Sequence, residues 1–517
     1  MRTLTLVFFI GILISLSSCR TDFETVASSG DLGFSKDTVY LDTVFTNIGS
    51  STYNLKVYNR SNKDITIPSI KLENGLNSRF RMTIDGMRGN EGRAFENVTL
   101  LAKDSLYIFI ETTANITDGY VRPEDKNKYL YTDKILFASV GKTQEVELAT
   151  IIQDAVFIFP KNPLDTGIKE TLSLVGLNGV EGHELLTDNE LNWTKEKPYV
   201  IYGYAAVPNG KTLTINEGTR VYFHAESGLA IDNGATLKIE GKLNETNTKG
   251  EIINFREVTF EGDRLEPDFE EIPGQWGTIL LFSSANNTIN HLTVKNATIG
   301  LYLQTNVSEN IPKLKIDNSQ FYNCSNVGIL ARNADIIGTN LVINGGGLSS
   351  LWCSMGGTYD FTHCTFNNNF ISSKQTAVLV DNYYLDEKNK EISFDLNKAN
   401  FKNCIIYGSN NFELFLDNDE TAEFNTSFEN CLIKFNDIDT GIEKNILYNF
   451  IRNEESGNIK NKDPKFFKQN QNKLNIDETS AAYQKGNDYG IETDILGTTR
   501  PTTTPDIGAY QSAPFTN

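Results

Sequence analysis

A four-residue signature recurs in the second half of the chain and constrains the fold more than any other feature. Phe321-Tyr322-Asn323-Cys324 returns as Phe361-Thr362-His363-Cys364, Phe401-Lys402-Asn403-Cys404 and Phe428-Glu429-Asn430-Cys431. The offsets are 40, 40 and 27 residues. Forty reads as two coils of about twenty residues and twenty-seven as one coil with an insertion, close to known solenoid periods. Short strands such as Leu213-Thr214-Ile215, Val221-Tyr222-Phe223 and Leu237-Lys238-Ile239 alternate with Gly and Asn turns, with no helical period between them. Short strands at regular spacing without long crossovers predict a parallel β-helix, about ten coils over residues 199–440.

The preceding region has a different texture. Residues 30–155 read as all-β, with turn clusters at short intervals. Tyr53, Leu55 and Val57 alternate, Asn59 to Asp64 breaks the run, and Ile65 and Ile67 resume it, which predicts a hairpin. About a hundred residues of this kind predict an immunoglobulin-like sandwich, of a type without the Cys and Trp of antibody domains. Val57-Tyr58-Asn59-Arg60-Ser61 followed by Ile65-Thr66-Ile67 resembles the opening of bacterial Ig-like modules that stand beside larger domains. Residues 156–198, with Pro160 and Pro163, read as a linker and N-terminal cap, and 441–517 as a C-terminal cap of the β-helix.

The solenoid region resembles the right-handed parallel β-helix family, the pectin-lyase-like fold, over residues 199–517. The shared features are Leu213-Thr214-Ile215 with Glu217-Gly218-Thr219, Pro273-Gly274-Gln275-Trp276-Gly277 ahead of a strand, and a closing pattern. That closing pattern is Asp463-Pro464-Lys465-Phe466, Asp494-Ile495-Leu496-Gly497, Arg500-Pro501 and Pro505-Asp506-Ile507-Gly508-Ala509-Tyr510. The resemblance implies the fold. No catalytic motif of the family carries over to this chain, so no catalytic residue is assigned.

The first residues read as a sorting signal. Met1-Arg2 is followed by an apolar run from Leu4 to Leu16, too short for a membrane span, and then Leu16-Ser17-Ser18-Cys19. This resembles the lipobox of bacterial lipoproteins, which implies cleavage after residue 18 and acylation of Cys19. Residues 19–29 then form a tether. Arg20, not Asp, follows the cysteine, so inner-membrane retention is not signalled. Asp22-Phe23-Glu24 resembles an export signal that places lipoproteins on the cell surface in one phylum of Gram-negative bacteria. The expected location is therefore the outer membrane, lipid-anchored and facing outward.

Charge narrows the partners. Lys and Arg total 47 against 66 Asp and Glu, a net charge of −19. Nucleic acid is excluded as a partner, because phosphate binding rests on clustered basic residues. Polyanionic sugars are disfavoured for the same reason unless a cation bridges them. Five cysteines remain beyond Cys19, an odd number that suits no full disulfide framework, so the repeated ones read as small core hydrophobes.

The four histidines, His183, His224, His291 and His363, show no metal-ligand spacing. No cofactor is expected. The acidic segment from Asp263 to Glu271 offers oxygen ligands for Ca²⁺ or is an ordinary solvated loop. Tyr383 and Tyr384, in an insertion on one side of the solenoid, are the candidate ligand-binding residues, as aromatic platforms for sugar rings. Arg332 and Asp335 occupy a plausible strand-end position. These features lead to a non-catalytic binder of glycan or a cell-surface partner, the alternative being a carbohydrate-active enzyme, lyase or hydrolase.

Overall fold

The computed structural model describes residues 25–515 apart from 123–124, 163–166, 168, 175–176, 305–310, 371, 373, 439–440 and 454–455. Cys19 and the whole sorting signal lie outside the described residues. The chain divides between Asp154 and Ala155 into two compact units.

The N-terminal unit is two β-sheets around one core. A four-stranded antiparallel sheet holds Leu32–Phe34, Tyr53–Asn59, Ser105–Thr112 and Phe80–Ile84. A second, mixed sheet is built around Ile65–Leu72, Asp125–Ser139, Lys142–Gln153 and Thr38–Phe45, the last two pairing in parallel. Leu55, Val57, Ile67, Phe80, Ile108, Phe137 and Val146 close the core between them. The hairpin expected from Tyr53 to Ile67 does not form. Tyr53–Asn59 belongs to one sheet and Ile65–Leu72 to the other. Period-two burial on both strands is the same for a hairpin and for an arch between facing sheets, so alternation alone cannot separate them. The Asn59 amide holds the arch, donating to the carbonyls of Lys63 at 2.8 Å and Leu101 at 2.9 Å.

The second unit is a parallel β-solenoid with three faces. Among the described residues, face one is an 11-stranded parallel sheet from Val156–Ile158 to Ile459–Lys460. Face two runs from Gly182–Glu184 to Leu414–Asp417, and face three from Asn192–Trp193 to Phe424–Glu429. Val327–Thr339 and Ser349–Thr362 run through both of the latter faces and join them into one sheet. Inward residues stack into a continuous apolar core from Ile158 to Ile451. The cysteines at 324, 353, 364, 404 and 431 are buried and free.

Three expectations about the solenoid change. Three strands within the expected linker and cap of 156–198 already belong to a first coil: Val156–Ile158, Gly182–Glu184 and Asn192–Trp193 each pair with the coil that follows. The forty-residue offset is not two coils. Phe361 pairs directly with Phe401, and Phe401 with Phe428, one coil apart each time. The coil of forty is lengthened by the hairpin of Tyr383–Leu385 and Glu391–Ser393. Phe321 lies on face one, paired with Ile343, so its match to the other three copies places like residues at a different corner.

The corner between faces three and one has its own logic. His291, Asn318, Asn340, His363, Asn403 and Asn430 all turn there with φ between 47° and 54°. Asn tolerates this left-handed region better than most residues. Its side chains also link coil to coil: Asn340 Nδ2 donates to Asn318 Oδ1 at 2.9 Å, and Asn403 Nδ2 lies 2.9 Å from His363 Nε2.

Within the expected cap of 441–517, only the first part closes the end of the solenoid, and the part from Leu474 on lies elsewhere. Leu474, Ile476, Ala482, Ile495, Ile507, Ala509 and Tyr510 pack on the outer side of face one, against Tyr322, Val342, Ile405 and Leu432. Its closing motif supplies the clasp. Arg500 donates to Asn340 Oδ1 and to the Gly508 carbonyl, both at 3.0 Å, and Asp506 accepts from the amides of Gln484 and Ser512, both at 2.6 Å. Gly508 has φ 98°, and a Cβ there would meet Ile405 Cδ1 at 2.7 Å. The end of the core is closed by Phe412 and Phe435 with Tyr448 and Ile451 of the expected cap, the last on the short helix Asn449–Arg452.

Candidate functional site

A strand of a solenoid sends alternate residues outward, and successive coils stack them about 4.8 Å apart. On face two the outward position is held in turn by Ala206, Ala230, Leu280, Tyr302, Leu330, Trp352, Leu379 and Phe415. Leu172, Leu174 and Leu177 pack over the first part of this row, which is buried. From Tyr302 onward the row is half-buried, and Phe415 is 38% exposed. Outward strand positions on a solvated face are ordinarily polar. A run of Tyr, Leu, Trp, Leu and Phe in register is therefore a built apolar stripe.

A polar row lies two residues further along the same strands: Gln304, Arg332, Ser354, Asp381 and Asp417. Asp381 fixes the stripe. It accepts from Trp352 Nε1, from Ser354 Oγ at 2.9 Å and from the Met355 amide at 2.9 Å. Burial pushes its pKa up, while these hydrogen bonds oppose the rise. The Trp352 ring is thus held in one orientation by a carboxylate behind it.

Tyr383 and Tyr384 sit beside these rows, both half-buried on the inserted hairpin. The Tyr383 hydroxyl donates to Asp417 Oδ2 at 2.8 Å, and that bond with burial raises its pKa to about 12. Tyr384 stacks on Phe394 at 6.1 Å, and the Arg332 guanidinium lies 6.0 Å from its ring. Arg332 also reaches Tyr302 Oη at 3.3 Å. Arg332 and Asp335 are not brought together as a pair. Asn333 turns the strand with φ 48° between them, and Asp335 belongs to face three, paired with Lys313 and Thr358.

The acidic segment does not converge on one point. Asp263 binds His224, Glu266 binds Arg264 at 3.1 Å, and Glu271 accepts from Asn323 and from Asn472. Among the described residues no group of three or more His, Cys, Asp and Glu is placed to hold a metal ion.

A second cluster was not legible in the sequence. His224 Nδ1 lies 2.8 Å from Asp263 Oδ2, and its half-exposed ring stacks on Tyr202 at 4.4 Å. Glu261 precedes Asp263 by two residues on face one, so both point outward. Burial raises the pKa of both carboxyls, with Lys295 opposing the rise at Glu261 and His224 at Asp263. Burial and Asp263 push the Tyr202 phenol up to about 12. His224 and Asp263 are 39 residues apart, and only the register of one long coil joins them.

Comparisons with known proteins add little to this geometry. No family model and no curated protein matches the chain. Three solved structures that it resembles each cover about a quarter of it. A family 123 glycoside hydrolase from Clostridium perfringens is 10% identical over 25% of this chain and 28% of its own, with a TM-score of 0.17. A PapD-like domain of human CEP192 is 10% identical over 24% of this chain and 84% of its own, at 0.15. The E. coli chaperone DraB is 15% identical over 25% of this chain and 56% of its own, at 0.16. Similarities this slight carry no argument about function. What the fold itself defines is a parallel β-solenoid that follows an all-β N-terminal unit.

Proposed function

We propose that this chain is a surface lipoprotein of the outer membrane, acylated at Cys19, whose solenoid binds a neutral glycan without cleaving it. In this reading the N-terminal unit is an Ig-like spacer and the solenoid a right-handed, pectin-lyase-like β-helix. The observation that carries the binding role is the outward row Tyr302, Leu330, Trp352, Leu379 and Phe415. Its rungs repeat about every 4.8 Å, close to the length of one pyranose residue in an extended chain. Aromatic faces take the apolar side of a sugar ring, while Gln304 and Arg332 stand beside them for the hydroxyls. The −19 charge repels polyuronates over a Debye length of about 8 Å at physiological salt.

Trp352→Ala tests this directly. It is expected to weaken binding to neutral polysaccharide by about tenfold or more in affinity electrophoresis, equivalent to about 1.4 kcal/mol. Unchanged retardation on every neutral polymer that the parent protein binds would remove the stripe from the mechanism. For the anchor, Cys19→Ser is expected to move the protein from the membrane to the soluble fraction. Retention on membranes at high salt would refute acylation at that residue.

The His224–Asp263 pair beside Glu261 favours a second reading, a carbohydrate-active enzyme on face one. There Asp263 would orient the imidazole, leaving Nε2 as base, with Glu261 as the candidate acid. Steady release of reducing ends, or of unsaturated product from polyuronates with Ca²⁺, that His224→Ala abolishes would replace the binding role with catalysis.

A further inference from the structure

The stripe ends in a cavity. Leu379 and Phe415, its last two rungs, also line a space of about 550 Å³. Among the described residues no later strand extends this row past Leu414–Asp417. Asn436 and Ile438, which follow the face-one strand Leu432–Ile433, also line the space. The row of the stripe therefore runs out at the edge of this space.

The lining is almost entirely uncharged. Phe412 stands edge-on to Phe415 at 6.2 Å and to Tyr448 at 5.7 Å, and lies 5.1 Å from Phe435, so the aromatic floor is tied to the end of the core. Asn410 is fixed by its amide N–H to Glu413 Oε1 and its Nδ2 to the Gln375 carbonyl, both at 2.7 Å. Among the described residues the side-chain amides of Asn411 and Asn436 make no hydrogen bond within the chain, although both line the cavity. Lys374, exposed at the rim, is the one ionisable group in the lining.

We infer that this cavity receives the terminal, uncharged sugar residue of the chain that lies on the stripe. The inference rests on the glycan-binding reading above and adds which part of the glycan is recognised. Pockets of roughly 300–1,000 Å³ lined by apolar groups with a few polar ones are the usual form of a small-molecule site. Phe415 offers the platform for the apolar face of the ring. Asn411 and Asn436 each offer donors and an acceptor, the pattern that vicinal hydroxyls need. An anionic residue would find only Lys374, and an exposed ion pair of that kind adds little to affinity.

The experiment uses the full chain in detergent and an array of linear neutral and uronic-acid oligosaccharides, short and long. Each is present with free ends and with either end blocked by a bulky fluorophore. The parent protein is expected to bind short neutral chains and to lose about tenfold in affinity when one particular end is blocked. Asn436→Phe, which fills the cavity, and Asn411→Ala, on an exposed residue, are expected to reproduce that loss on short chains. Both should leave long chains bound through Trp352. Circular dichroism and the melting temperature show whether each variant is folded, and Asn411→Ala keeps the test decisive if Asn436→Phe is not. No neutral glycan bound at millimolar concentration would overturn the glycan-binding reading and this inference with it. Binding that Trp352→Ala weakens, but that end-blocking and both cavity variants leave unchanged, would overturn the cavity assignment alone. A preference for uronic-acid ends that Lys374→Ala abolishes would overturn the uncharged assignment.

Discussion

His363 shows how one residue in a repeat carries a consequence for the whole coil. It occupies a corner where four of the other five residues are Asn, at φ 54°, and it is buried. Burial lowers its pKa to about 3, with the positive charge of Arg500 acting in the same direction. A base whose folded pKa lies below its unfolded value of about 6.5 stabilises the fold above that pH and loses this contribution as pH falls toward 3. At pH 5 the loss is about 2 kcal/mol. Asn can adopt the same backbone and offer Oδ1 to Asn403 Nδ2. His363→Asn is therefore expected to match the parent protein at pH 7.5 and to exceed it by about 2 kcal/mol at pH 5 in urea denaturation. An equal drop in both proteins would show that His363 is not buried uncharged. The corner Asn residues were readable as turn residues from the sequence. Their bonds to each other were not, because those bonds need the coil lengths.

At the scale of elements, the closing segment was recognised by its motif but not by its place. Asp494, Arg500, Asp506 and Gly508 belong to the sequence pattern that marked it as a cap. The structure shows them clasping face one. Arg500 is 4% exposed, and its desolvation lowers its pKa to about 10 despite Asp494 and Asp506 nearby. Removing one partner from a buried set of charges costs about 3–5 kcal/mol, because the others remain uncompensated. Arg500→Ala is expected to loosen the segment from its apolar seat on Val342, Ile405 and Leu432, so that limited proteolysis cuts between 463 and 515 before any coil. First cuts within the coils would show that the clasp does not hold the segment. The same limit governed the Tyr53–Ile67 arch and the first coil at 156–198. Burial alternation reveals that a strand has an inner side, but its partner is set by residues far along the chain.

For the whole molecule, fold class was legible because the inward residues repeat locally, whereas the site was not. Leu330, Trp352, Leu379 and Phe415 form one row only after coils of unequal length are brought into register, and 330, 352, 379 and 415 share no period. A stack of coils couples each one to its neighbours, so stability is close to a sum of nearest-neighbour terms. The exposed end of such a stack is where unfolding begins, and here that end is closed by Tyr448. It is fully buried, lies 4.9 Å from Phe435, and its hydroxyl accepts from the Leu416 amide at 2.8 Å. Truncating a buried aromatic of this size costs about 3–5 kcal/mol. Tyr448→Ala is expected to spend that loss locally. Amide exchange should quicken first in Leu414–Asp417, Ile405–Gly408 and Leu432–Ile433, and remain slow in Thr212–Asn216 and Thr236–Glu240. Uniform acceleration from the first coil to the last would mean that the solenoid opens as one cooperative block. The aromatic closure behind Phe412 and Phe415 would then hold no part of the stack on its own.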